Sequence, residues 1–158
     1  MSAPRRPFAA DTTVPVEKTK VELERLVKAH GADGFAQGSK GTRAQVQFEM
    51  RGRQLRFVLH LPDATDREVT HSRGGVRRTP AQAREALAQA DRTRWRALLL
   101  VIKGKLEAVA SGVVDFQEEF LPQTVMPNGQ TLAEWALPQV ARAYETRGMP
   151  PMLPGGPS

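Results

Sequence analysis

Arginine is the residue type in this chain best equipped for chemistry, and that chemistry is the holding of phosphate. A guanidinium stays charged and presents a planar fork of donors that fits a phosphate at two points. Three groups recur through the middle of the sequence: Arg51, Arg53 and Arg56; then Arg73, Arg77 and Arg78; then Arg92 and Arg96 with Lys103. Residues 43–105 hold twelve Arg and two Lys against six acidic residues, while residues 106–158 hold two bases and six acids. The chain as a whole carries +6. Charge gathered this way points to a polyanion, nucleic acid first and an acidic protein surface second. Binding of that kind draws its affinity from counterion release, so it needs several spaced cations. The alternative is that these bases pair with acids such as Glu107, Glu118 and Glu119, or serve solubility.

Other chemistries find less material. Asp63, Asp66 and Glu68 are spaced as carboxylates that can hold Mg²⁺ in a nuclease, provided a further carboxylate converges on them. His30, His60 and His71 fall on three different segments and share no ligand spacing. His71, between Arg67 and Arg73, is placed for a phosphate contact. Ser39-Lys40-Gly41-Thr42-Arg43 lacks the spacing and the following helix of a phosphate-cradling loop, so a lysine-bearing hairpin is expected there. No serine has a nucleophile-elbow context and the chain has no Cys. No catalytic residue, metal or cofactor is therefore assigned. The absence of Cys also excludes disulfides and suits a cytoplasmic setting.

These residues need elements to position them. Residues 1–14 hold two Pro and two Arg without periodicity and read as a mobile arm, with Phe8 its freest aromatic. Its start lacks the apolar core of a secretory signal. A helix opens at Pro15, with Val16, Leu23, Leu26 and Val27 near helical spacing, and stops at His30-Gly31. Three strands follow. Residues 35–38 form a short one, before a turn at Ser39 to Thr42. Arg43–Met50 alternates, with Ala44, Val46, Phe48 and Met50 on one face. Arg51-Gly52 is a hairpin turn, and residues 53–61 resume with Leu55, Phe57, Leu59 and Leu61 inward. Arg53 and Arg56 reach the outer face together only if a bulge interrupts that strand. Residues 62–78 form a polar loop, long enough to be functional or disordered.

Thr79-Pro80-Ala81-Gln82 carries the capping signals of a long helix running to Ser111-Gly112. Trp95, Leu98, Leu99, Ile102, Leu106 and Val109 make one stripe; Leu100 and Val101 lie off it, so the second half is expected to be buried on most sides. Arg92, Arg96 and Lys103 lie within about 40° of one another on that helix. A short helix over 115–121, an Asn128-Gly129 turn and a helix capped by Thr131 and Glu134 complete the domain. Leu132, Trp135, Val140 and Tyr144 are its expected buried face, and Pro138 can kink it. Most aromatics fall on apolar stripes and are expected in the core. Residues 148–158, with four Pro and three Gly, read as a tail. No run reaches the ~20 apolar residues of a membrane span; the longest is ALLLVI at 97–102.

The stretch RWRALLLVIKGKLEAV at 94–109, with FQEEFL at 116–121, PNGQT at 127–131 and MPPMLPG at 149–155, resembles a family of small uncharacterised phage and prophage proteins over most of the chain. That resemblance implies a bacterial host-cell cytoplasm and brings no activity with it. In outline, the order helix, three strands, long helix is also similar to the double-stranded RNA-binding domain and to Rad52-like annealing proteins. The former has a Lys-rich start to its last helix, where this chain has Pro80-Ala81-Gln82-Ala83-Arg84.

The sequence thus predicts a single α+β domain over 15–147, with an N-terminal helix, a three-stranded antiparallel sheet packed on a long helix, and C-terminal helices. The expected function is nucleic-acid binding, DNA foremost, through phosphate contacts, with strand annealing or recombination as one use. The alternative is a protein-interaction factor, such as a phage inhibitor of a host nucleic-acid enzyme. A continuous basic groove favours the first, and a rim of charge around an exposed apolar patch the second. A homo-oligomer is compatible with either.

Overall fold

The computed structural model describes Arg5 and residues 9–149. The rest of the expected arm, including Phe8, and residues 150–158 of the expected tail lie outside the described residues. The architecture is the α+β arrangement the patterning predicts. Helix α1 (Val16–Ala29) leads into an antiparallel sheet of β1 (Asp33–Lys40), β2 (Arg43–Met50) and β3 (Arg53–His60), in that spatial order. A short α2 (Arg67–Thr70) precedes the long α3 (Pro80–Ala110). Then come α4 (Phe116–Glu119), a 3₁₀ turn (Leu121–Gln123) and α5 (Leu132–Thr146).

Unbroken alternation fixes the sheet. Ala44, Val46, Phe48 and Met50 are buried, and their strand neighbours are exposed or half-buried. Strands β2 and β3 pair without a register shift from Met50 opposite Arg53 to Arg43 opposite His60. Arg51 (φ 48°) and Gly52 (φ 74°) supply the two positive φ values that a two-residue hairpin turn requires. No bulge interrupts β3. Arg53 therefore shares the parity of Leu55 at the turn end of the strand, and Arg56 lies on the opposite face. The irregularity sits in β1 instead, between Asp33 and Ala36, where Gly34 has φ 60°. That strand is also twice the expected length, because its pairing to β2 carries it on to Lys40 and leaves only Gly41 and Thr42 for the turn.

The inner sheet face rests on α3, with α1 alongside. Phe48 stacks on Phe57 at 6.1 Å, Phe57 meets Phe120 edge-on at 6.2 Å, and Phe120 touches Phe116 at 5.2 Å, so α4 joins the same core. Burying each such ring or aliphatic chain contributes about 1.5–3 kcal/mol. Helix α3 starts at the expected capping box: Thr79 Oγ1 accepts from Gln82 N, and Gln82 Oε1 accepts from Thr79 N. At 31 residues it is about 46 Å long. Its buried residues, Trp95, Leu98, Leu99, Ile102 and Leu106, run from the midpoint onward. That half is amphipathic rather than buried on most sides: Val101 is 52% exposed, and Lys103, Gly104 and Glu107 face solvent.

The first half of α3 has no fully buried residue before Trp95. Gln89 Nε2 donates there to the carbonyls of Ala10 (3.1 Å) and Thr12 (2.9 Å), so residues 10–12 are fastened to the helix rather than part of a free arm. At the other end, Val125 N donates to Gln54 O and Thr124 bridges Leu55, which covers part of the outer edge of β3. Helix α5 departs most from expectation. It has the predicted capping box and continues through Pro138, but none of its residues is buried. Its principal neighbour is the 3₁₀ turn. Val140 is 47% and Tyr144 85% exposed, so neither belongs to a core.

Candidate nucleic-acid interface

Residues 62–78, expected as a loop, are folded. Asp63 closes a tight turn: its carboxylate accepts from the backbone and hydroxyl of Thr65, and the hydroxyl bond chiefly holds its pKa below the ordinary value. Asp66 accepts from Asp63 N, and α2 then buries Val69. Beyond it, Ser72-Arg73-Gly74-Gly75 makes a β-turn in which Gly75 N donates to Ser72 O. Gly75 has φ 82°, a conformation that penalises any side chain. Ser72 N donates to Val76 O, Val76 N donates to Ser72 Oγ, and His71 bridges Arg77. Arg78 pins the base of this small hairpin. Its Nη1 donates to the carbonyls of Glu68 (2.6 Å) and Val69 (3.1 Å), and its backbone N donates to Thr70 O.

Arg73, in the turn, and Arg77, on the return strand opposite His71, are consequently held on an ordered hairpin, exposed and without a carboxylate partner among the described residues. Val76, 69% exposed, lies between them. A cleft of about 550 Å³ opens beside the hairpin, lined by Ser72, Val76, Arg77 and Arg78 from the loop and Gln82, Glu85, Ala86 and Gln89 from the first turns of α3. The positive end of the helix macrodipole adds to the guanidinium field at this end of the molecule. Arg67, also exposed, reaches toward the turn, its Nη2 lying 3.8 Å from where a Cβ on Gly75 would sit.

The other expected cations are arranged differently. On α3, Arg96 Nη1 meets Glu22 Oε2 of α1 at 2.6 Å, and Arg92 is held by Gln89 (2.6 Å) and Glu85 (3.1 Å). Arg96 thus ties α3 to α1, Arg92 is held along its own helix, and of that trio only Lys103 is exposed without a partner among the described residues. Arg94 likewise bonds the His60 carbonyl (2.6 Å) and Glu68 (2.8 Å), and Lys105 bonds Glu119. Arg51 lies 5.0 Å over the Phe116 ring at the hairpin, with Arg53 exposed beside it. Arg56 donates to Gly129 O and Gln47 Oε1. The hairpin adjoins Phe116 just past the C-terminus of α3, and residues 71–78 adjoin its N-terminus. The first two arginine groups therefore occupy opposite ends of a helix about 46 Å long and form no single groove.

Comparison with protein-family models, with curated proteins and with solved structures returned no match. The chemistry at this end of the molecule rests on the residues alone.

A third basic feature is the open face of the sheet. Lys40 pairs with Arg43, and Arg43 with His60, so all three form one row across that face. Arg43 also reaches Glu134 of α5 at 3.4 Å. The carboxylates singled out in the sequence do not assemble: Asp63 and Asp66 serve backbone and Thr65 donors, and Glu68 pairs with Arg94. No group of three His, Cys, Asp or Glu converges among the described residues. No helix among them is long and apolar enough to cross a membrane. Sequence reasoning misses Ser72, Gln82 and Gln89 as parts of the cleft. The only signal for them is their position around Thr79, on either side of the helix start.

Proposed function

We propose that the protein binds nucleic acid through phosphate contacts at the projection formed by residues 71–78, with Arg73 and Arg77 as the leading cations and Arg67 in support. The observation that carries this reading is the contrast among arginines. Arg92, Arg94 and Arg96 are held in ion pairs, whereas Arg73 in the turn and Arg77 opposite His71 have no carboxylate partner among the described residues and sit on a hairpin already closed by backbone bonds. A preordered tip loses little conformational entropy on contact. Phosphate contacts orient a protein without reading sequence, so weak sequence preference follows. Handling of single strands in annealing or recombination is one use of such a binder, and DNA is the first ligand to test.

A salt series with labelled single-stranded DNA, duplex DNA and RNA tests this. Each phosphate that the protein ceases to neutralise lowers the slope of log K against log salt by about 0.9 on a duplex and about 0.7 on a single strand. Arg73→Ala with Arg77→Ala is therefore expected to reduce the slope by ~1.8 or ~1.4 respectively. No binding at low salt, or an unchanged slope in the double variant, refutes the reading. A second reading, an acidic protein partner, is favoured by Val76 exposed between the two arginines and by the lack of a continuous basic groove.

A further inference from the structure

One corner of the outer sheet face is roofed by the C-terminal helix. Alternation turns Arg56, Val58 and His60 of β3 outward, with Arg43 of β2 directly opposite His60. Thr124 and Val125 cover the edge of β3, and α5 then starts at its Thr131 cap beside the same face. The first turns of α5 and the 3₁₀ turn close a cleft of about 310 Å³ against the sheet. Arg43 and His60 stand at one end of it. Val58, Pro122, Ala133 and Leu137 give it an apolar wall. Arg56 lies four residues from His60, about 13 Å along the strand. It is fixed there by Gly129 O (2.9 Å) and Gln47 Oε1 (3.3 Å). An apolar lining with a few convergent polar groups is the composition of a small-molecule site.

We propose that this cleft binds a phosphate monoester carrying one ring, a molecule of the size and chemistry of a nucleoside monophosphate. The charge left over at the corner carries the proposal. Arg43 has one carboxylate partner, Glu134, at 3.4 Å, whereas the other ion pairs among the described residues span 2.6–3.3 Å. A well-formed bond of that kind is about 2.7–2.9 Å. Glu134 is drawn away because its other oxygen accepts from Thr131 N in the capping box. Lys40, opposite Arg43 and in the adjoining depression, has no partner among the described residues, and neither has the His60 ring. Like charges set opposite each other on a sheet repel. A monoester carries about −1.5 to −2 at pH 7 and matches Arg43 and Lys40 together. Its phosphate replaces Glu134 Oε1 on Arg43 beside His60, and its ring lies along Val58 and Leu137. Ligand pockets begin near ~300 Å³, so this one holds a single ring with its phosphate and not a longer chain. The proposal does not rest on the phosphate-binding projection at residues 71–78.

Amide NMR on the full chain, titrated with adenosine 5′-monophosphate and separately with adenosine and with inorganic phosphate, tests it. Saturable shifts are expected at Val58, His60 and Ala133, with the nucleotide bound more tightly than either half. Arg43→Ala is expected to weaken nucleotide binding ~10-fold or more. Glu134→Gln keeps the capping box, since Gln serves at that position as Glu does. It removes the competing charge and is expected to tighten binding about two- to fivefold. Glu49→Gln, at the far end of the same face, changes net charge equally and is expected to leave binding unchanged, because salt screens it. Leu137→Ala is expected to weaken the nucleotide but not phosphate. Arg73→Ala with Arg77→Ala is expected to leave all these shifts in place, so failure at the hairpin and failure here are read separately. No shift in the cleft up to about 10 mM nucleotide overturns the proposal. So does binding indifferent to Arg43→Ala, or no tighter in Glu134→Gln. An unphosphorylated oligonucleotide that shifts these amides where the nucleotide does not would also overturn it, giving the cleft to a strand's diester.

Discussion

Replacing Arg78 separates architecture from charge at the candidate interface. One guanidinium nitrogen holds two successive carbonyls, those of Glu68 and Val69, and thereby ties the foot of the 71–77 hairpin to α2. Hydrogen bonds to a charged group contribute about 1.5–3 kcal/mol when buried. The Arg78 side chain is only half-buried, so ~1–2 kcal/mol for both bonds together is the expected loss in Arg78→Ala. If the hairpin opens as a local unit, that loss multiplies its open population by about 5 to 30. Amide hydrogen exchange reads the change directly. Gly75 and Arg78, whose N–H groups bond Ser72 O and Thr70 O, should lose protection by that factor, while Val46 and Phe57 in the sheet keep theirs. Arg78→Lys supplies the control: one nitrogen makes both bonds, so an ammonium that reaches the same carbonyls should restore part of the protection lost in Arg78→Ala. Exchange unchanged in Arg78→Ala would show that the carbonyl bonds do not hold the hairpin. The preordered tip, and with it the phosphate-binding role of Arg73 and Arg77, would then fall.

Two further perturbations probe α3. Desolvation pushes the Asp91 carboxyl above its ordinary value of 3.8, with Arg94 opposing the shift. A raised folded pKa means the native state holds the proton more tightly than the unfolded chain. Its contribution is fully present below the unfolded value and is lost as pH rises through the folded one. Asp91→Asn is thus expected to raise Tm at neutral pH and to lose that advantage in titrations taken below 3.8; an equal Tm difference at both ends refutes the assignment. Thr79→Ala removes the acceptor of the α3 capping box and should cost about 0.5–2 kcal/mol in denaturant unfolding, with Thr79→Ser restoring most of it.

Much of the fold was legible because its signals are local. Eight residues of β2 alternate without a fault, so the strand and its inward face follow from period alone. The capping residues Thr79 and Thr131, each with its partner three positions on, mark helix starts for the same reason. The site was less legible because it depends on partners distant in sequence. Arg96 meets Glu22 across 74 residues and Arg94 meets Glu68 across 26, and helical angles place the bases without saying what faces them. Order in residues 71–78 comes from Arg78 bonding two carbonyls, an interaction with no sequence pattern. Helix α5 shows a third case. Its apolar residues divide between two faces, and only the packed structure shows that Tyr144 is on the outward one.

The bulge at Gly34 has a consequence for how the molecule survives at high concentration. Strand β1 is an edge strand with one side of its backbone unpaired, and an edge of that kind is a template for runaway strand addition. Here the register breaks between Asp33 and Ala36, Gly38 interrupts the middle, and Lys40 ends the strand with a charge. A second chain laying a flat strand along this edge meets a twist, a residue with no side chain to pack and a cation in turn. The opposite edge, on β3, is partly blocked by Thr124 and Val125 of the same chain. The sheet is capped against fibrous growth by irregularity on one side and by its own backbone on the other.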